Sequence, residues 1–230
     1  AHNVKLIKNS ENAGYTKGCN KGMKIVSGEF VLLLNPDTKI QNDALQKMVD
    51  FLLAREEVGA VAPQLLKKDN TVQFSCRKFP KYSDMFFEIC LLSSVFFKSK
   101  FFARWKMRYF SHEELSEVEQ PMGAALMNKN DLLKRINYMD ERFYMFFNDI
   151  DTCKQIYNLG YKIYFIPDAK IYHKTGKSIF KDRARMIKAW NRDCLRYFRK
   201  NGYNFVYHFI LLIGLKTIGF IRVIFVKIFS

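Results

Sequence analysis

The stretch Phe30-Val31-Leu32-Leu33-Leu34-Asn35-Pro36-Asp37-Thr38 decides the fold of this chain. Five consecutive apolar residues are typical of a strand covered on both faces, as in a parallel sheet. Proline cannot continue the hydrogen-bond ladder, so we expect Asn35 and Asp37 just beyond the carboxyl end of the strand. Ligands of open α/β sheets bind at that edge, where a carboxylate can hold a hard cation. The alternative is an ordinary strand that ends in an Asx-type turn.

Helix and strand patterns alternate around this stretch. Residues 4–7 predict a short strand, and apolar residues at helical spacing predict helices over residues 16–26 and 42–55. The apolar run from Val58 to Pro63 predicts another strand. The resulting β-α-β-α-β order favours an α/β fold with a mostly parallel sheet flanked by helices.

The second half of the chain also mixes helices and strands. The small residues Gly123 and Ala124 predict a turn that leads into a strand. Residues 82–110 are rich in Phe and predict an irregular helical segment. The other predicted elements are a short strand over residues 71–75, helices over 130–136 and 148–159, and strands over 162–166 and 169–173.

Composition favours one sizeable globular domain with an appendage, since the 230 residues are 49% hydrophobic and 26% charged. The five cysteines are widely spaced and form no Cys-x-x-Cys pair. This pattern argues against a disulfide framework and against a zinc site, and it favours a reducing compartment.

The positive charge is concentrated at the end of the chain. Of the net charge of +16, residues 174–230 contribute 13 Lys or Arg against two acids, which is +11. Such a tail is typical of proteins that bind nucleic acid or anionic lipid. Because the basic region adjoins an apolar helix and no recognisable recognition module, we expect an anionic membrane surface as partner and no nucleic acid.

The last 26 residues predict an amphipathic helix. The apolar run from Phe205 to Gly214 is ten residues long and contains one polar residue, His208. A helix that spans a bilayer needs ~20 apolar residues, so this run is too short. At 100° per residue, most polar side chains after Asn204 share an arc of roughly 140°. We therefore expect a helix lying in the membrane interface. The alternatives are a tilted spanning helix and a helix packed on the domain. The predicted division is residues 1–180 and 181–230.

Two further segments carry candidate chemistry. Asp149 opens a predicted helix after the aromatic run Phe143 to Phe147. An apolar wall raises the pKa of a carboxylate and suits a general base, whereas the alternative is ordinary helix capping. His173 ends a strand where a metal ligand could lie, although a single His is commonly structural. Lys177 lies near a glycine in a basic loop that suits phosphate contact or is simply solvated.

Taken in order, these motifs form a specific series. It consists of Asn12-Ala13-Gly14-Tyr15, Asn20-Lys21-Gly22, Asn35-Pro36-Asp37-Thr38, Gly123-Ala124, Asp140-Glu141-Arg142-Phe143, Asn148-Asp149-Ile150-Asp151, Gly160-Tyr161, and His173 with Gly176 and Ser178. From Val4 to Ser178 the series resembles family 2 glycosyltransferases of the GT-A fold, and most of all their bacterial rhamnosyltransferase-type branch.

The resemblance implies a role for each motif. Asp37 would bind Mn²⁺ or Mg²⁺ on the donor diphosphate, and His173 would complete the metal site. Asp149 would be the base that deprotonates the acceptor hydroxyl. The implied donor- and acceptor-binding residues are Asn12, Gly14, Asn20, Asn35, Gly123, Ala124, Asp151 and Lys177.

The function implied by the resemblance is inverting, metal-dependent sugar transfer in cell-surface glycan synthesis. The donor would be a nucleotide-diphosphate sugar carrying rhamnose or a similar hexose. The acceptor would be lipid-linked or a polysaccharide. The expected location is the cytoplasmic face of the cell membrane, with peripheral attachment.

The chain departs from the family pattern in two places. Asn148 stands where the family usually has Glu before the catalytic Asp. The chain also begins at what would be the third strand, so we expect a GT-A domain that is N-terminally incomplete. The alternative is a non-catalytic, truncated remnant that serves as a membrane or protein association module.

Overall fold

The structure, a computed structural model, describes residues 4–174 and 182–228, without the side chains of Phe225, Lys227 and Ile228. Its strands are β1 (Phe30–Leu34), β2 (Thr38–Ile40), β3 (Val58–Leu66), β4 (Val72–Gln73), β5 (Cys76–Arg77), β6 (Ser116–Glu117), β7 (Gln120–Pro121), β8 (Ala125–Lys129) and β9 (Lys162–His173). Its helices are α1 (Tyr15–Met23), α2 (Ala44–Leu53), α3 (Tyr82–Ile89), α4 (Leu92–Val95), α5 (Asn130–Arg135), α6 (Asn148–Asn158), α7 (Arg183–Asn201) and α8 (Phe205–Ile228).

The central sheet is mixed and has the strand order β1-β8-β3-β9-β2. Strands β3 and β9 pair in parallel, whereas β8 lies between β1 and β3 and is antiparallel to both. Strands β1, β3 and β9 therefore share one direction, and β2 returns antiparallel to β9. The α/β fold predicted from the sequence is confirmed, with a mixed sheet in which β3 and β9 form the one parallel pair among the described strands.

Helices cover both faces of the sheet. On one face α2 packs its buried Met48 and Leu52 against β3 and β9, and on the other face α5 and α6 contribute Leu132 and Ile156. All nine residues of β3 are buried as a result. This is the physical reason why the central strands are apolar without alternation.

Two predicted strand assignments are wrong. Residues 4–7 have no regular structure, and Val4 and Leu6 are exposed because no neighbouring strand of the described chain pairs with them. The two strands predicted around Pro167 are one continuous strand, β9. A register shift against β3, between Pro63 and Gln64, accommodates the extra residues, so the ladder resumes beyond them.

Helices α7 and α8 share a hydrophobic core with the rest of the domain. Phe147 and Ile150, at the start of α6, pack with Tyr197 and Phe198 of α7 and with Leu211 of α8. The division predicted at residue 180 therefore does not separate two cores within the described residues. It stays a prediction about function.

A buried carboxylate joins α7 to the loop that precedes α6. Asp193 is fully buried, and its Oδ2 accepts hydrogen bonds from the backbone N–H groups of Tyr144, Met145 and Phe146 at 3.1, 3.2 and 3.2 Å. Three donors on one oxygen offset much of the cost of burying the charge. The position of the Tyr144–Phe147 loop therefore depends on α7.

Helix α8 packs on α3 and α7 with one face and leaves the opposite face exposed. His208, Leu211 and Leu215 are buried, and His208 lies against Tyr82. His208 belongs to the arc predicted as polar, so the polar arc faces the protein in part. The exposed residues are mainly apolar: Phe205, Val206, Tyr207, Phe209, Ile210, Ile213, Phe220, Ile221 and Ile224. Residues 205–224 are long and apolar enough to cross a membrane, judged by length and composition alone.

The first prediction concerns Asp193. Asp193→Ala should lower the free energy of unfolding by about 3 kcal/mol, because three buried N–H groups lose their acceptor. Chemical denaturation measures the change. Asp50→Ala on the exposed side of α2 is the control and should change the free energy of unfolding by less than about 0.5 kcal/mol. Equal effects of the two substitutions would contradict the structural role of Asp193.

Candidate active site

The carboxyl end of β1 lies beside the end of β9. The register of β2 against β9 pairs Thr38 with His173, which brings Asp37 next to the imidazole. Asp37 Oδ1 lies 3.4 Å from His173 Nε2, and Asn35 Nδ2 lies 3.4 Å from the same nitrogen. Thr38 Oγ1 donates to the Asn35 carbonyl at 2.7 Å and fixes the intervening turn. The sequence-predicted residues Asn35, Asp37 and His173 are thus brought together.

The hydrogen bonds of His173 fix its tautomer. Nδ1 lies 3.0 Å from Oε1 of the buried Gln73, and an amide oxygen only accepts, so Nδ1 carries the proton. The lone pair of Nε2 therefore faces Asn35 and Asp37. Burial lowers the pKa of His173, and the carboxylate of Asp37 opposes this shift in part. The imidazole is neutral at neutral pH, which is the form that binds a metal.

A cavity of about 710 Å³ opens beside these residues. Three lysines accompany Asp37 and His173 on its wall, so an anionic ligand would meet cations on several sides. The lining residues are Pro36, Asp37, Thr38, Lys39, Lys68, Tyr172, His173 and Lys174.

The residues present fit a divalent cation that is shared with a bound ligand. One carboxylate and one neutral imidazole nitrogen are suitable ligands for Mn²⁺ or Mg²⁺. No group of three His, Cys, Asp or Glu side chains within residues 4–174 and 182–228 could enclose the ion. The remaining coordination positions would belong to phosphate oxygens and water, as is usual for Mg²⁺ with phosphates.

Asp149 lies at the first turn of α6 and is held by three donors. Its Oδ2 accepts from the Gly123 N–H at 3.1 Å and from Gln120 Nε2 at 3.2 Å, and Oδ1 accepts from the Ile150 N–H at 2.9 Å. Burial raises the pKa of Asp149, whereas these backbone N–H groups and the charge of Arg77 lower it. The net upward direction makes Asp149 a stronger base than an exposed carboxylate.

The segment Gly123-Ala124 connects the two groups of polar residues. The Ala124 carbonyl accepts from the Asn35 N–H at 2.9 Å, and the Gly123 N–H donates to Asp149. A Cβ on Gly123 would lie 3.1 Å from Asp149 Cβ, so a larger residue there would have to shift the Asp149 side chain slightly. Tyr15 Oη lies 3.5 Å from the Gly123 carbonyl. One short segment therefore contacts both the Asn35 backbone and the Asp149 carboxylate.

The sequence profile described as "Glycosyltransferase like family 2" matches residues 1–192. The chain belongs to this family.

The relatives of this family 2 chain include two curated rhamnosyltransferases. It is 23% identical over 208 residues to the N-acetylglucosaminyl-diphospho-decaprenol L-rhamnosyltransferase of Mycobacterium tuberculosis, which covers 83% of this chain and 65% of the relative. It is 22% identical over 148 residues to the rhamnosyltransferase WbbL of Escherichia coli, which covers 63% of this chain and 52% of the relative. The chain thus spans less than two thirds of the length of either protein.

A solved structure shares the fold of this chain. The mannosyltransferase of Pyrobaculum calidifontis, determined in complex with GDP-Man and Mn²⁺, superposes with a TM-score of 0.52 at 17% identity. The match covers 93% of this chain and 56% of that one. It confirms the GT-A fold predicted from the sequence.

Two of the predicted binding residues, Asn20 and Asp151, form hydrogen bonds within this family 2 chain. Asn20 is buried and bonds to both the N–H and the carbonyl of Met139. Asp151 is 2% exposed and accepts from Lys200 Nζ at 2.7 Å and Asn201 Nδ2 at 3.1 Å. Their polar atoms are hydrogen-bonded within the protein, and that either residue contacts the donor or acceptor stays a prediction.

Asn12 and Gly14 shape the backbone. The exposed Asn12 accepts from the Gly14 N–H at 3.1 Å. Gly14 has φ 90°, and a Cβ there would lie 2.6 Å from the Tyr144 ring, so only glycine fits. Neither residue lines the cavity beside Asp37. Lys177 lies outside the described residues.

The helix-capping alternative would make Asn148 the N-cap of α6. The N-cap position is instead Phe147, and no side chain caps the helix. Asn148 Nδ2 donates to Thr16 Oγ1 at 3.1 Å and to the Met145 carbonyl at 2.9 Å. The residue before it, Phe147, has φ 60°, a left-handed conformation that is uncommon for a bulky side chain. The turn into α6 is therefore held by side-chain contacts to α1 and to the preceding loop.

Sequence reasoning missed Gln73, Gln120 and Arg77. Gln73 orients His173, Gln120 donates to Asp149, and the charge of Arg77 acts on Asp149. They lie on β4, β7 and β5, strands of two residues each, which carry too little pattern to be assigned from sequence. Their contacts are all distant along the chain, so no local signal could have identified them.

The second prediction concerns the tautomer of His173. Gln73→Glu should raise the pKa of His173, because a carboxylate at Nδ1 stabilises the imidazolium. The ring resonances of His173, followed by NMR against pH, measure the shift. Gln46→Glu on the exposed face of α2 is the control and should leave these resonances unchanged. A lower pKa of His173 in Gln73→Glu would overturn the assignment.

Proposed function

We propose that this chain transfers rhamnose or a similar hexose from a nucleotide-diphosphate donor to a lipid-linked or polysaccharide acceptor, with inversion of the anomeric centre. Family membership and the two rhamnosyltransferase relatives support sugar transfer in glycan synthesis. The observation that carries the proposal is a chain of contacts between the candidate residues. Asp37 lies next to His173, and the neighbouring Asn35 N–H donates to the Ala124 carbonyl. The Gly123 N–H in turn donates to Asp149.

The donor diphosphate is proposed to bind in the cavity beside Asp37. Asp37 and His173 would hold Mn²⁺ or Mg²⁺, which neutralises the diphosphate as it leaves. Lys68 and Lys174 line the same cavity and supply further positive charge for phosphate oxygens. The Mn²⁺ and GDP-Man bound by the structural relative support this assignment.

Asp149 is proposed to act as the general base. Its raised pKa increases its affinity for the proton of an acceptor hydroxyl, and two backbone N–H groups hold the carboxylate in one orientation. A single base and a single displacement give inversion. Because the base must be ionised, the rate should fall as the pH drops below the raised pKa.

The protein is proposed to work at the cytoplasmic face of the cell membrane, attached peripherally through α8. The exposed apolar face of α8 and the basic α7 next to it supply the two contributions that stable interfacial attachment requires. A decaprenol-linked compound in the name of the mycobacterial relative supports a membrane-bound acceptor.

The third prediction separates donor binding from catalysis. Asp37→Asn should weaken Mn²⁺-dependent binding of a nucleoside diphosphate by about tenfold or more, because a charged metal ligand is lost. Asp149→Asn should leave that binding within about twofold and reduce sugar transfer by 10²-fold or more, in the range of general-base effects. Calorimetry with UDP, GDP and dTDP in turn measures binding, and release of nucleoside diphosphate from the matching sugar measures transfer.

Asp168→Asn, in the bend of β9 away from the cavity, is the control for both measurements. Equal nucleotide affinity in wild type and Asp37→Asn would reject the metal site. A rate above about a tenth of wild type in Asp149→Asn would reject the base. A wild-type protein that binds no nucleotide with Mn²⁺ would favour the non-catalytic association module.

The fourth prediction concerns the exposed face of α8. The double variant Phe209→Ser with Phe220→Ser should weaken partition into phosphatidylcholine vesicles by at least about tenfold. Both aromatic side chains are exposed, and the variant removes their burial in the membrane. Vesicle sedimentation measures the partition. Ile25→Ser with Leu53→Ser removes exposed apolar groups elsewhere and should leave the partition unchanged. Equal loss in both double variants would reject attachment through α8.

A further inference from the structure

A cleft of about 420 Å³ lies between α7 and α8 and shares no lining residue with the cavity beside Asp37. Its floor is apolar and its rim carries four cations. Leu195, Leu212 and Leu215 belong to the floor, next to His208. The rim cations are Arg192, Arg196, Arg199 and Lys216.

The rim has a large excess of positive charge. The nearest carboxylate is Asp193, whose Oδ1 lies 3.2 Å from Arg192 Nε and 3.7 Å from Arg196 Nη1. Its other oxygen is committed to three backbone N–H groups. Arg199 and Lys216 form no ion pair with any described residue, and both are exposed. Arg196 also donates to the Arg142 carbonyl and Arg192 lies over the Tyr144 ring, so these two are partly committed. Arg199 and Lys216 carry positive charge without an ion-pair partner among the described residues.

The floor of the cleft is uncharged. Burial lowers the pKa of His208, and the neighbouring Arg199 lowers it further. The imidazole is thus neutral at neutral pH and contributes no positive charge of its own. The cleft combines an uncharged floor with a cationic mouth, which is the complement of an amphiphile with an anionic head group.

The mouth of the cleft continues into the exposed apolar face of α8. Leu212, Lys216 and Phe220 lie four residues apart and form one stripe along the helix. Leu212 lines the cleft, Lys216 lies at its rim, and Phe220 is exposed beyond it. Phe209 and Ile213 lie on the same exposed face. A ligand with its head group at the cationic rim could place an apolar chain on the floor and along this stripe.

We propose that the cations at the rim of the cleft between α7 and α8 bind the phosphate head group of an anionic membrane phospholipid, whose acyl chain covers the apolar floor and continues along the exposed face of α8. The arginine guanidinium groups can bind phosphate oxygens in a bidentate manner, and Lys216 adds a point charge. A free phosphate would leave the apolar floor uncovered. The proposal rests on the proposed membrane attachment and adds a specific lipid site to it.

The site would also connect the membrane to the catalytic loop. Arg192 and Arg196 share Asp193 with the backbone of the Tyr144–Phe147 loop, which leads directly into Asp149. A lipid bound at these arginines would fix α7 at the membrane surface. The loop and the base would then have a defined orientation towards a membrane-bound acceptor.

The test compares two double variants that remove the same charges. Arg199→Gln with Lys216→Gln removes one Arg and one Lys at the cleft. Lys188→Gln with Arg222→Gln removes one Lys and one Arg from exposed positions of α7 and α8 outside it. Partition is measured in phosphatidylcholine vesicles with and without phosphatidylglycerol. The gain in partition that phosphatidylglycerol produces is called the phosphatidylglycerol increment. It should fall at least about tenfold more in the cleft variant than in the control.

A second variant closes the cleft without changing any charge. Leu212→Trp fills the floor and should abolish the phosphatidylglycerol increment, whereas partition into pure phosphatidylcholine should stay near that of wild type. Phe209→Ser with Phe220→Ser should instead lower partition into both kinds of vesicle. The two patterns distinguish loss of the lipid site from loss of attachment. Circular dichroism of each variant confirms that the protein remains folded.

Soluble probes test the head group away from a membrane. Calorimetry should detect binding of monomeric dihexanoyl-phosphatidylglycerol to wild type and not to Leu212→Trp. Equal loss of the increment in the two charge variants would mean diffuse attraction to the membrane and would overturn the proposal. Binding of inorganic phosphate or glycerol phosphate as tight as that of the short-chain lipid would also overturn it, because the apolar floor would then contribute nothing.

Discussion

The antiparallel pairing of β1 with β8 is the constraint on which the site depends. It aligns the end of β1 with the start of β8, so that the Asn35 N–H donates to the Ala124 carbonyl. The same turn presents the Gly123 N–H to Asp149. Residues almost ninety positions apart in the sequence therefore form one continuous backbone surface. The proposed base and the proposed metal-binding residues take their relative positions from this pairing.

The second controlling interaction is the burial of Asp193. A charged group in the interior requires several donors, and here these are three consecutive backbone N–H groups of the loop before α6. The basic helix α7 is consequently part of the catalytic domain's core, although its composition favours a separate appendage. The same helix also forms one wall of the cationic cleft. The carboxylate thus connects the surface proposed to face the membrane with the residues proposed to perform the chemistry.

Polar residues that resemble binding motifs can have hydrogen-bond partners within the protein. Asn20 bonds both polar groups of Met139, and Asp151 pairs with Lys200 and Asn201. A buried polar side chain must find partners, so an ordered motif marks either a ligand contact or an internal one. The sequence pattern is the same in both cases. Asp149 likewise has internal donors, so partners within the protein do not by themselves decide a residue's role.

The sequence by itself determined the α/β class, the end of β1 at Asn35-Pro36-Asp37, the amphipathic α2 and the start of α6, because each depends on local periodicity and on the chemistry of proline. It also determined that α8 has one strongly apolar arc. Only the tertiary structure decided that β8 lies between β1 and β3, that residues 162–173 form one strand, and that Gln73, Gln120 and Arg77 support the site. Those features arise from pairing and packing between segments that are distant in the sequence. Because such contacts do not depend on local periodicity, the sequence pattern of the residues that form them does not predict them.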